Sequence, residues 1–134
     1  MTFLTPYAPQ LRSVLRIMAG LLFLQHGTTK YLSLPEGPMN GVPMMSMGGV
    51  AGLIELIGGV LLVIGLFTRP VAFIASGTMA AAYFIAHAPQ GFYPLLNGGE
   101  LAALYCFVFL YLAAAGPGPW SVDAARGKET AYTA

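Results

Sequence analysis

The stretch from residue 48 to residue 65 is an unbroken apolar run that contains a single charged residue, Glu55. A run of about 18 or more apolar residues is typical of a transmembrane helix, because it can span the hydrocarbon core of a bilayer. The residues three, four and seven positions from Glu55 on a helix are mostly small: Gly48, Ala51, Gly52, Gly58, Gly59 and Leu62. Small residues let a second helix approach closely. We therefore predict that Glu55 faces protein and not lipid.

The composition agrees with a membrane protein. Of the 134 residues, 57% are hydrophobic and only 8% are charged, whereas a soluble domain carries about 25% charged residues. The net charge of +1 gives no guide to partners, and no basic run indicates nucleic acid. Because Cys106 is the only cysteine, an intrachain disulfide, a CxxC redox pair and an all-cysteine metal site are excluded.

Prolines and glycines divide the chain into four predicted spans. The first covers residues 11–32, and the loop of residues 33–47, which contains three prolines, cannot continue it. The other spans cover residues 48–67, 70–87 and 97–115, and a polar cytoplasmic tail of residues 116–134 follows. The sequence thus predicts an all-α integral membrane protein, with one four-helix transmembrane bundle as the single domain of residues 1–134.

Basic residues are distributed unevenly over the two sides of this bundle. Lys30 lies near one side, and five basic residues lie near the side that holds both termini: Arg12, Arg16, Arg69, Arg126 and Lys128. Loops rich in lysine and arginine stay in the cytoplasm. Both termini are therefore predicted to be cytoplasmic.

Polar side chains from all four spans converge at the outer end of the bundle. His26 lies about 6 to 9 Å below the outer end of the first span, with Lys30 one turn above it, and Glu55 lies about 10 Å deep. The third and fourth spans add three polar residues on the same side: His87, Asn97 and Glu100. A charged group in hydrocarbon costs about 2.5 to 3.5 kcal/mol. This polar layer therefore predicts mutual pairing, a wet cavity, or both.

Glu55 and His26 are the predicted catalytic residues, because both lie too deep to reach the interface easily. An acid and an imidazole can exchange protons with a carbonyl or phenol, which suits the headgroup of a quinone. The other polar residues are predicted to bind the ligand or to set its charge environment: Lys30, His87, Asn97 and Glu100. Arg16 is grouped with them, but it lies alone in the inner half of the bundle and is predicted to anchor the helix register. The structural alternative for Glu55 is a buried ion pair with Lys30 or with Arg16.

Two metal cofactors are compatible with the sequence, although the simpler prediction is that no metal is bound. His26 and His87 could ligate a haem from its two sides. The outer loop holds four methionines, whose thioethers could bind Cu(I) or simply fill apolar surface: Met39, Met44, Met45 and Met47. The aromatic residues of the last two spans are assigned to packing and lipid-facing positions: Tyr83, Phe84, Tyr105, Phe107, Phe109 and Tyr111.

Four motifs follow one another in a fixed order along the chain. They are Arg16-x3-Gly20-x2-Phe23-x2-His26-Gly27-x2-Lys30, Glu55-x2-Gly58-Gly59, Arg69-Pro70 and Gly116-x-Gly118-x2-Ser121-x-Asp123. Together they cover residues 11–123 and resemble the DoxX family of small bacterial membrane proteins. The resemblance implies a four-helix, multi-pass protein of the bacterial cytoplasmic (inner) membrane. Relatives of this kind include a DoxD-type subunit of a thiosulfate:quinone oxidoreductase, and others are linked to responses to oxidative stress.

Three functions are compatible with this resemblance and with the polar layer. The first is a quinone-interacting subunit of a membrane redox system, which would receive electrons from a partner protein. The second is a non-catalytic accessory protein that assembles a partner complex. The third is a proton-coupled carrier of a small solute, which the lack of an inverted sequence repeat disfavours. The predicted partners are the lipid bilayer and either a redox protein or a second copy of the chain.

Overall fold

The structure is a computed structural model, and it describes residues 1–127. Within this range the chain is helical, without strands, which confirms the predicted all-α class. The helices are α1 (Ala8–Leu32), α2 (Met47–Ile64), α3 (Thr68–Ala82), α4 (Pro94–Asn97), α5 (Glu100–Ala115) and α6 (Val122–Ala125). A 3-10 turn at Thr2–Tyr7 precedes α1, and a π-helical turn at Tyr83–His87 followed by a 3-10 turn at Ala88–Gln90 extends α3. The end of the predicted tail, residues 128–134, lies outside the described residues.

The helix boundaries differ from the predicted spans where glycine or proline changes the local backbone. Helix α1 begins at Ala8 and not at residue 11, because Pro9 fits the first turn of a helix. Helix α2 ends at Ile64 and not at residue 67, because Gly65 adopts the left-handed conformation with φ of 73°. The N–H groups of Gly65 and Leu66 both donate to the carbonyl of Leu61 at 2.9 Å. These contacts end α2 and turn the chain into α3.

The fourth long helix begins at Glu100, whereas the sequence predicted a start at residue 97. Asn97 instead ends the short helix α4, and Gly98, with φ of 74°, separates the two helices. The side-chain oxygen of Asn97 accepts the N–H of Gly99 at 2.8 Å, and its amide nitrogen donates to the carbonyl of Gly91 at 3.0 Å. Asn97 thus organises the turn before α5.

Helix α1 packs mainly against α2, and α3 packs mainly against α5. Two glycines mark the closest approach of α1 and α2. A Cβ atom at Gly27 would lie 2.5 Å from the backbone nitrogen of Leu56, and one at Gly59 would lie 2.7 Å from the Cα atom of Leu24. Because these obstacles are backbone atoms, no side-chain movement could relieve them. The glycines therefore set the distance between the two helices.

An apolar core joins all four long helices. Phe23 of α1 packs edge-on against Phe109 and Tyr105 of α5, with ring centroids 4.9 and 5.9 Å apart. Tyr105 and Phe109 stack with their centroids 5.4 Å apart. The core as a whole consists of Ala19, Phe23, Leu62, Ala72, Ala75, Met79, Tyr105, Phe109 and Leu112. These side chains hold α1 against α5, although the two backbones contact each other little.

The segment after α5 folds back onto the ends of α1, α2 and α3. The carboxylate of Asp123 accepts the N–H groups of Phe67 and Thr68 at 3.0 and 2.9 Å, and so caps the N-terminus of α3. Arg16 is fully buried. Its guanidinium donates to the backbone carbonyls of Leu62, Pro117 and Trp120. This end of the molecule is therefore closed by polar contacts between distant parts of the chain.

Two helical segments of the described chain are long and apolar enough to cross a membrane, Met47–Ile64 and Thr68–Gln90. Helix α5 is also apolar but has only 16 residues. Helix α1 is long, at 25 residues, but it carries Arg12, Arg16 and Lys30. Length and composition therefore support two spans directly.

The close approach of α1 and α2 gives a first prediction. Gly59→Ala is expected to lower the free energy of unfolding by about 1 to 3 kcal/mol, because the added methyl group would overpack the backbone of Leu24. Gly77→Ala is the matched control, since a Cβ atom there meets nothing within 4 Å. It should instead stabilise α3 by up to about 1 kcal/mol. Circular dichroism during unfolding in mixed SDS and detergent micelles measures both, and equal effects would contradict the prediction.

Candidate functional site

A cavity of about 690 Å³ lies among the four long helices. This volume is within the range of about 300 to 1,000 Å³ that small-molecule sites occupy. The walls are mostly apolar, and every long helix contributes to them. Five titratable side chains also line it: His26, Lys30, Glu55, His87 and Tyr105. The structure therefore brings four residues of the predicted polar layer to one cavity.

A salt bridge forms part of the cavity wall. The Nζ atom of Lys30 lies 2.9 and 3.1 Å from the two carboxylate oxygens of Glu55. The two side chains are only 10% and 5% exposed, respectively, which confirms that Glu55 faces protein. Gly52 makes room for the pair, because a Cβ atom there would lie 2.8 Å from the Cδ atom of Lys30. Glu55 is therefore paired with Lys30 and not with Arg16, the other predicted partner.

Two polar atoms near this salt bridge are buried without a hydrogen-bond partner among residues 1–127. They are Nε2 of His26 and the hydroxyl oxygen of Tyr105. The two rings meet edge to face, with centroids 6.2 Å apart. An unpaired buried polar atom costs about 1 to 3 kcal/mol, and such atoms are rare in native proteins. Both residues line the cavity, so two side chains with unmet hydrogen-bonding capacity border the space that a ligand would fill.

His87 lines the cavity from the end of the π-helical turn. Its Nδ1 atom lies 3.1 Å from the backbone carbonyl oxygen of Asn97. Because a carbonyl oxygen can only accept, Nδ1 carries the hydrogen, and Nε2 of the neutral ring presents a lone pair. The structure gives this Nε2 no hydrogen-bond partner within residues 1–127. The imidazole is thus oriented by a backbone contact and has one nitrogen available to bind.

Three predicted site residues lie outside the cavity. Asn97 holds the turn before α5 through side-chain hydrogen bonds to Gly91 and Gly99, and its backbone carbonyl orients His87. Glu100 is exposed in the first turn of α5, where a carboxylate favours the helix N-terminus. Arg16 binds backbone carbonyls at the closed end of the molecule.

Tyr105 was not among the predicted site residues. It was assigned to a packing position, and its ring does pack in the core, but the residue also lines the cavity and its hydroxyl oxygen has no hydrogen-bond partner within residues 1–127. Helix α5 is apolar on all sides, so no polar stripe marks the face that points inward. The one available signal was a hydroxyl group in the middle of an apolar helix.

The outer methionines divide into two groups. Met39 and Met45 of the loop and Met47 of α2 line the cavity, whereas Met44 does not. The sequence alone did not distinguish the four methionines from one another. Their different placement depends on the conformation of the loop, which has no regular period that could predict it.

These features define an all-helical membrane protein with a mostly apolar cavity, lined by several titratable residues, between its long helices. The family profile of DoxX matches residues 11–88, and the chain belongs to the DoxX family. The match includes four of the five titratable cavity residues, and Tyr105 lies beyond it. The resemblance of the sequence motifs to this family is thereby confirmed.

Two relatives are similar over most of their length. The chain is 45% identical over 128 residues to an uncharacterised protein of Haemophilus influenzae, covering 92% of this chain and 96% of that protein. It is 32% identical over 108 residues to a protein of Bacillus subtilis named "Putative oxidoreductase CatD", covering 77% of each chain. No solved structure matches the chain significantly.

Proposed function

We propose that this DoxX family protein is a quinone-binding subunit of a membrane redox system and that the cavity binds the quinone headgroup. The observation that carries the proposal is that His26 and Tyr105, whose Nε2 atom and hydroxyl oxygen are buried without a partner, both line a mostly apolar cavity. A quinone has an apolar ring and two oxygens that need hydrogen bonds. Its shape and polarity therefore match this cavity.

The cavity residues can serve both redox forms of such a ligand. The Tyr105 hydroxyl can donate a hydrogen bond to a quinone oxygen, and the neutral imidazole of His26 can donate or accept at Nε2. Glu55 can accept a hydrogen bond or a proton from a quinol hydroxyl, while Lys30 balances its negative charge. Reduction of a quinone takes two electrons and two protons. We assign the supply of electrons to a partner protein. The similarity to a relative named "Putative oxidoreductase CatD" supports a redox role only in general.

We further propose that the four long helices span the bacterial cytoplasmic membrane as a single four-helix domain, with both termini in the cytoplasm. The excess of basic residues near the termini supports this orientation. Helix α1 turns its charged residues inward, since Arg16 is buried and Lys30 is paired. Its exposed residues are largely apolar and suit contact with lipid: Leu11, Val14, Leu15, Met18, Leu21 and Leu22. The cavity would then open toward the outer side.

Removing the Tyr105 hydroxyl tests the headgroup site. Tyr105→Phe is expected to weaken the binding of a short-chain quinone about tenfold, because one hydrogen bond contributes roughly 1 to 1.5 kcal/mol. The variant should be at least as stable as the wild type, since the hydroxyl has no partner to lose. Equilibrium dialysis of the protein in lipid nanodiscs against ubiquinone-1 or a short-chain menaquinone measures the affinity.

Tyr111→Phe is the matched control, because Tyr111 is on the same helix, half exposed and away from the cavity. Its quinone affinity should equal that of the wild type. Equal affinities of the two variants would contradict the assigned headgroup site. A wild-type protein that binds no quinone but co-purifies with a large partner would favour the accessory function instead.

A further inference from the structure

The cavity has a methionine-lined side that the proposed quinone site does not use. Met39 and Met45 come from the loop between α1 and α2, and Met47 begins α2. The terminal methyl of Met39 lies against the first turn of α2, 3.4 Å from where a Cβ atom of Gly48 would be. The Met39 thioether is therefore placed beside the turn that carries Met47. Three soft sulfur atoms border one cavity.

His87 borders the same cavity from the end of α3, on another part of the chain. Its Nδ1–H donates to the Asn97 carbonyl at 3.1 Å, so that Nε2 presents a lone pair. A histidine that binds a metal usually donates its other N–H to a carbonyl or carboxylate in this way, which fixes the tautomer and the ring orientation. His87 thus has the arrangement of a metal ligand, and it lines the cavity that the three methionines also line.

We propose that Met39, Met45, Met47 and His87 form a Cu(I) site at this cavity. Thioethers are soft ligands that select Cu(I), and imidazole also suits copper. Harder ions lack ligands here, since residues 1–127 contain no group of three or more His, Cys, Asp or Glu side chains that could hold a metal. Glu55 is already paired with Lys30. The site shares no residue with the His26 and Tyr105 pair, although both sets of residues line the same cavity.

Anaerobic titration of the full-length protein in detergent micelles with Cu(I), against a coloured Cu(I) chelator, tests the site. We expect the wild type to bind one Cu(I) per chain. The triple variant Met39→Leu/Met45→Leu/Met47→Leu keeps the side-chain volume but removes the sulfur, and should weaken binding about 100-fold. His87→Gln removes the nitrogen ligand and should weaken it about tenfold or more. X-ray absorption spectra should show sulfur neighbours that the triple variant lacks.

Met44→Leu is the matched control, because Met44 belongs to the same loop but does not line the cavity. It should bind Cu(I) like the wild type. Wild-type protein that holds no Cu(I), or a triple variant that binds as tightly as Met44→Leu, would overturn the site. Circular dichroism of each variant shows that it is folded. The quinone affinity of the triple variant is measured separately, so that a failure of the copper site can be distinguished from a failure of the quinone site.

Discussion

Arg16→Met is expected to lower the free energy of unfolding by about 4 kcal/mol or more, since a hydrogen bond to a charged group contributes about 1.5 to 3 kcal/mol. Arg16 is fully buried, and it donates to the carbonyls of Leu62 and Trp120 at 2.8 and 2.7 Å and also to that of Pro117. Methionine keeps the apolar stem but leaves these carbonyls without a donor. The contacts between α1, α2 and the segment after α5 would then be lost together.

The matched control for this prediction is Arg126→Met. Arg126 is exposed, and its guanidinium lies 5.6 Å from the ring centroid of Phe67. An exposed cation–π contact is worth about 0.5 to 1 kcal/mol. Unfolding in mixed SDS and detergent micelles compares the two variants, and limited proteolysis reports release of residues 117–127 in Arg16→Met. An Arg16→Met protein as stable as Arg126→Met would show that the buried contacts are not what closes this end.

The sequence could predict the cavity residues on α1 and α2 because helical periodicity fixes which side chains share a face. Glu55 lies on a stripe of small residues, and small residues mark a helix contact. His26 and Lys30 are one turn apart, and so both lie on the same face of α1. Because the predicted spans alternate in direction, the depth of each residue in the membrane could be estimated, and these residues were predicted to lie in one layer. Helical periodicity is therefore enough to predict the glycine stripe and the cluster of His26, Lys30 and Glu55.

Depth does not fix the direction in which a side chain points, and for this reason Asn97 and Glu100 were grouped with cavity residues that they do not join. Gly98 adopts a left-handed conformation that separates Asn97 from α5. Asn97 therefore lies in the turn before α5 and not in the helix. Arg16 finds partners in Pro117 and Trp120, about 100 residues away along the chain. No local pattern encodes such contacts. Tyr105 escaped attention for a related reason, since an apolar helix surrounded by apolar neighbours has no sequence period that identifies its inward face.

The salt bridge between Lys30 and Glu55 allows stability and ligand binding to be separated. Either single variant, Lys30→Met or Glu55→Met, is expected to destabilise the protein by about 3 to 5 kcal/mol, because it leaves one uncompensated charge in a buried site. The double variant removes both charges and fills the space with apolar side chains of similar volume. It should therefore recover most of the lost stability. Unfolding in mixed micelles measures all four proteins, and a double variant no more stable than the single variants would contradict the role of charge.

Ligand binding by the same double variant then tests whether Glu55 acts on the ligand or only stabilises the fold. A quinol donates hydrogen bonds and loses a charged acceptor when Glu55 is replaced, so its affinity should fall about tenfold. The oxidised quinone only accepts hydrogen bonds, and the His26 and Tyr105 groups proposed to bind it are unchanged, so its affinity should change little. Equilibrium dialysis of the double variant with the quinol under reducing conditions, and with the quinone under oxidising conditions, gives the ratio of the two affinities in one protein. If both affinities stay at the wild-type value, the pair is structural, because a carboxylate that accepted from the quinol could not be removed without loss.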